Sequence, residues 1–69
     1  MGEMMENKMS LDLPEGLQKE LFLELVNQQD QGVGVALSRT RVAKRFKVSV
    51  TTVIAVERQG LAKQWPPID

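Results

Sequence analysis

Leu17, Leu21, Phe22, Leu25 and Val26 recur at i, i+4, i+5, i+8 and i+9, the spacing of one buried stripe on a helix. Asp12-Leu13-Pro14-Glu15 precedes that stripe and reads as its start. Asp12 can cap free amides, Pro14 suits a first turn, and Glu15 sits at the positive end of the helix dipole. This first helix is expected to run to about Gln29, where Asp30-Gln31-Gly32 ends it and Gly32 supplies a left-handed turn. Leu23 lies off the stripe. With Leu11 and Leu13 it is a candidate contact to a second copy, or simply an exposed leucine. Val33-Gly34-Val35-Ala36-Leu37 alternates larger and smaller apolar residues and predicts a short strand over 33–37.

Two short amphipathic patterns follow, joined through Lys47-Val48-Ser49. The first predicts a helix at about 39–46 with Ser38 or Thr40 as its cap, and the second a helix at about 50–59 capped by Ser49. Val42, Ala43, Phe46, Val48, Val53 and Val56 are spaced so that two steeply crossing helices bury them together. Gly60 stands where a left-handed C′ residue belongs, with Leu61 folding back after it. Leu61–Trp65 is expected to be extended, and Pro66-Pro67 stops further helix. Trp65 is better placed to close the core under those prolines than to stack on a base. Residues 1–10 are polar with no helical or strand period and are expected to form a flexible tail. Met4, Met5 and Met9 would then belong to that tail rather than to a partner surface. The domain proper is placed at 11–69.

Composition narrows the chemistry. Sixty-nine residues make one domain, close to the lower limit for a self-sufficient core. The sequence holds no cysteine and no histidine, so disulfides, thiolate or imidazole metal sites and His-based acid/base catalysis drop out together. Glu20 and Glu24 stand one helical turn apart, but a carboxylate pair on a solvated face is ordinary. No Gly-rich phosphate loop or Ser-base pair accompanies them. The expectation is a non-enzyme without metal or small-molecule cofactor. No apolar run approaches the ~20 residues of a membrane span. The first residues lack the basic and apolar regions of a secretory signal. A cytoplasmic, nucleoid-associated protein is expected.

The formal net charge is zero, yet it conceals a steep asymmetry. Residues 1–34 carry seven acids and two bases, a net of −5; residues 35–69 carry seven bases and two acids, a net of +5. Arg39, Arg41, Lys44, Arg45 and Lys47 crowd into nine positions. A polyanion meets the second half rather than the average. The plainer reading of that charge run is a solvated helix face.

Over Arg39–Arg58, RTRVAKRFKVSVTTVIAVER, the chain resembles the helix-turn-helix superfamily of prokaryotic and phage DNA-binding regulators. The order of elements around this segment is similar to the winged-helix branch. The small residue that lets the second helix approach corresponds to Ala43, and the apolar positions to Val42, Phe46, Val48, Val53 and Val56. The turn residue that is usually glycine in the family corresponds here to Lys47. A left-handed conformation costs lysine roughly 1 kcal/mol more than glycine. The fold implied is mainly α: a three-helix helix-turn-helix core with a short strand at about 33–37 and a stunted C-terminal wing, in which Leu61–Trp65 pairs with Val33–Leu37.

The resemblance implies binding to double-stranded DNA with the helix at 50–59 in the major groove. Val50, Thr51, Thr52, Ala55 and Arg58 would then meet base edges. Valine, alanine and the threonine methyl suit thymine methyls, and only Arg58 among them can grip guanine by two bonds. Ile54 either reads a methyl or packs inward. Arg39, Thr40, Arg41, Lys44 and Lys47 are candidates for phosphates, with Arg45 either joining them or pairing with an acid of the first helix. Roughly four to six such contacts give a salt slope of about −4 to −5. The expected function is a small transcriptional regulator or repressor acting as a homodimer. The alternatives are a protein-interaction module, such as an antirepressor or adaptor, and an excisionase-like architectural DNA-binding protein.

Overall fold

The structure, a computed structural model, describes residues 13–67. Three helices follow one another: α1 Glu15–Asp30, α2 Val35–Phe46 and α3 Val50–Lys63. Each packs on the other two, so the core lies at their common centre. The expected tail at 1–10, the Asp12 cap and the Leu11 contact lie outside the described residues.

Pro14 stands at the cap position before α1, and its carbonyl accepts the first helical bond from Gln18 N–H at 3.0 Å. Gln18 itself is buried, its amide nitrogen donating to Leu13 O at 2.7 Å and its amide oxygen accepting from Gln59 Nε2 of α3 at 3.1 Å. Because Gln18 takes the inward position on this turn, Leu17 does not join the stripe and stands 39% exposed. Leu21, Phe22 and Leu25 are buried as the spacing predicts, and Val26 is half-buried.

All three helices end in the same way. At the close of α1, Gly32 is left-handed (φ 95°) and Val33 N–H reaches back to Gln28 O at 3.0 Å. At the close of α2, Lys47 is left-handed (φ 57°) and Val48 N–H reaches Ala43 O at 2.9 Å. At the close of α3, Gln64 is left-handed (φ 56°) and Trp65 N–H reaches Gly60 O at 3.0 Å. Each left-handed residue is followed by an apolar one that folds back on its helix, the hydrophobic contact that accompanies this type of stop. Val33 and Val48 are half-buried, and Trp65 is buried against Phe22 with ring centroids 6.1 Å apart, edge to face.

Several expectations are overturned. No strand occurs among the described residues: Val33–Leu37 is a two-residue link and then the first turn of α2, so the stunted wing has nothing to pair with. A lone strand there would leave one edge of backbone groups without partners, whereas the helix satisfies them internally. Leu61–Trp65 is likewise not extended, since α3 runs on to Lys63.

Ser38 and Thr40 do not cap α2, because the helix starts four residues earlier than expected and Gly34 holds the cap position. Ser38 is instead fully buried; its hydroxyl donates to Val35 O at 2.8 Å and accepts from Gln29 Nε2 of α1 at 3.1 Å. Gly60 is not the left-handed stop. It lies inside α3 and faces the ring of Phe22, a close approach that a side chain would block. No described helix is long and apolar enough to cross a membrane.

Candidate nucleic-acid interface

The segment that carries the basic cluster folds as two helices joined by Lys47, Val48 and Ser49. The left-handed Lys47 turns the chain, and Val48, packed against the core, fixes where it goes next. Ser49 then starts α3 with its hydroxyl accepting from Thr52 N–H at 3.1 Å, as expected of an N-cap. The Ser49 and Thr52 hydroxyls share a further hydrogen bond at 3.1 Å.

Burial of Val53, Val56 and Gly60 sets the rotation of α3 about its own axis. At about 100° per residue, Thr51, Ala55 and Arg58 fall on the opposite side. Thr51 and Arg58 are exposed, Ala55 is half-buried and Val50 is exposed at the start of the helix. Thr52 is half-buried and turned toward the cap, which sets it apart from the other base-contact candidates. Ile54 is half-buried beside this face rather than in the core.

The phosphate candidates on α2 divide into three groups. Arg41, Lys44 and Lys47 are exposed and make no ion pair among the described residues. Arg39 is engaged: its Nε donates to Glu57 Oε1 of α3 at 3.0 Å, and its Nη2 stands 2.9 Å from the same oxygen as an ion pair. Arg45 is exposed on the side toward α1 and lines an open cleft of about 340 Å³ together with Glu20, Leu23, Glu24, Asn27 and Phe46. Thr40 is exposed, and its hydroxyl donates to Ala36 O at 3.1 Å. Lys63 is drawn away from this surface. It and Lys19 both stand 5.9 Å from the centroid of Trp65, close enough for cation–π attraction.

Glu57 and the Gln18–Gln59 pair are the participants that the sequence reading passed over. Glu57 had one available signal, being a lone acid between Ser38 and Trp65 in a stretch crowded with bases. The glutamines had none, since their hydrogen bond joins residues 41 apart in the chain. No protein-family model, no curated protein and no solved structure matches this chain.

Proposed function

We propose that the protein binds double-stranded DNA, with the outer face of α3 in the major groove and α2 and its turn on the backbone, as a helix-turn-helix regulator working as a homodimer. The observation that carries this reading is the rotation of α3. Its inward residues leave Thr51 and Arg58 exposed and Ala55 half-buried on the opposite side, while Arg41, Lys44 and Lys47 stand exposed on α2 and its turn with no ion pair among the described residues. A short helix flanked by positive charge meets both needs of duplex recognition: base-edge contacts for preference, phosphate contacts for register and affinity.

The side chains on that face are short and partly apolar. They favour thymine methyls through Val50, Thr51 and Ala55, with Arg58 one turn later able to grip guanine. Each good base contact contributes ~1–3 kcal/mol of discrimination, so one copy discriminates modestly. Two copies on an inverted repeat, with half-sites roughly 10 bp apart or a multiple of that, supply the remainder. The ion pair on Arg39 and the cleft position of Arg45 lower the number of cations ready for phosphate. Arg41, Lys44 and Lys47 give a slope per chain of about −3 in log affinity against log salt.

The test is a titration with short mixed-sequence duplex at low and moderate salt, read by backbone amide shifts. Salt-sensitive shifts confined to 39–58 are expected. Arg41→Ala with Lys44→Ala should weaken binding about equally on all duplexes, whereas Thr51→Ala should act on selected sites alone. No shift at low salt, or identical behaviour of the two variants, overturns the reading.

A further inference from the structure

The cleft between α1 and the end of α2 combines features that no single-sign partner suits. Leu23 stands 42% exposed in its wall and half-buried Phe46 also lines it. Glu20 and Glu24 lie on one side, Arg45 on the other, and no ion pair joins them among the described residues. The ion pairs among the described residues lie elsewhere, Glu15 with Lys19 and Glu57 with Arg39. Among the described residues, Glu24 accepts a hydrogen bond from the side-chain amide of Gln28 alone, at 3.1 Å.

A basic peptide laid in this cleft meets Arg45, and an acidic one meets both glutamates. A surface carrying both signs around an apolar centre permits pairing with its own copy about a two-fold axis, as an isologous dimer requires. We propose that this cleft is the homodimer interface: Leu23 packs across the two-fold axis, and Arg45 of each copy reaches Glu20 and Glu24 of the other. The inference rests on the dimer part of the functional reading above and names its surface. It leaves the outer face of α3, with Thr51, Ala55 and Arg58, uncovered on both copies.

The test is sedimentation of the full chain without DNA, so its outcome is separate from that of the duplex titration. The wild-type chain is expected to sediment as a dimer. Arg45→Glu leaves the cleft wholly acidic, and Glu20→Lys with Glu24→Lys leaves it wholly basic. Each variant alone should sediment as a monomer at the same concentration, and an equimolar mixture of the two should restore a one-to-one dimer. An intramolecular role for these charges cannot produce that rescue. Arg58→Glu changes the net charge as much as Arg45→Glu does but lies on α3, which does not line the cleft, and should remain dimeric. Leu23→Gln, at an exposed position, should weaken association at least tenfold with its circular dichroism melt little changed. A monomeric wild type, dimers surviving in both charge variants, or a mixture that stays monomeric overturns the proposal.

Discussion

Gly60 of α3 lies so close to the ring of Phe22 that a Cβ built on it would come within 2.6 Å of Cε1 and 2.7 Å of Cγ. The glycine therefore sets how near α3 comes to α1. A glycine inside a helix gives up about 1 kcal/mol of helical propensity relative to alanine. Here it is retained at a position where Phe22 is fully buried and has little room to move.

Gly60→Ala is accordingly expected to destabilise the fold by about 1–3 kcal/mol despite the better propensity, because added volume in a packed core forces side chains off their rotamers. Denaturant melts measure it. In a Phe22→Leu background the same change should cost under about 1 kcal/mol, since the obstructing ring is gone. A Gly60→Ala protein more stable than wild type contradicts the packing argument.

Lys47 separates stability from binding. It is left-handed at φ 57°, which glycine adopts at less cost. Lys47→Gly should raise stability by about 0.5–1 kcal/mol and flatten the salt dependence of duplex binding by about one phosphate contact. Thermal melts read the first effect and anisotropy against salt the second. A steeper salt slope would remove Lys47 from the phosphate set.

Ser49 caps the helix proposed to read the duplex. Ser49→Ala should cost about 1 kcal/mol and speed amide exchange at Thr52, whose N–H loses its acceptor. Ser49→Asp should keep the cap and most of the stability, because a carboxylate suits a helix N-terminus. It should nevertheless weaken duplex binding by repelling phosphate. Equal loss of stability in both variants would show that the hydroxyl does not act as a cap.

Glu57 holds Arg39 through a hydrogen bond from Nε and an ion-pair contact from Nη2, both at one carboxylate oxygen. The pair is partly exposed, so Glu57→Gln should change stability by less than about 1 kcal/mol. Freed from its carboxylate, Arg39 becomes available to phosphate, and the salt slope should steepen by about one contact. An unchanged slope would keep Arg39 off the backbone of the duplex.

Trp65 reports folding rather than binding. It is buried on Phe22 and flanked by Lys19 and Lys63, away from the exposed side of α3. Duplex addition should leave its emission nearly constant while denaturant shifts it to the red. A large emission change on duplex addition would place the nucleic acid near the C-terminal end of α3 instead.

The residues that came out as read share one property: their signal is contained within a few neighbours. The stripe Leu21, Phe22, Leu25 specifies α1, Ser49 specifies the start of α3, and Gly32 specifies a left-handed stop. The failures arise where two local readings compete. Val33–Leu37 alternates like a strand, but Gly34 among small apolar residues, with Gly32 just before, also fits a loop and a helix start. Gly60 followed by Leu61 carries the local mark of a helix end, and so does Gln64 followed by Trp65.

The sequence by itself determined three helices, their approximate centres, the split of charge between the halves and the apolar set at their junction. Those are properties of short periodic windows, and periodicity is visible in a linear chain. Tertiary structure decided which glycine turns the chain and which lies under a ring, that Arg39 is held by Glu57, and that Gln18 rather than Leu17 points inward. Each of those depends on what another helix brings to the same point in space, and separation along the chain carries no record of that distance.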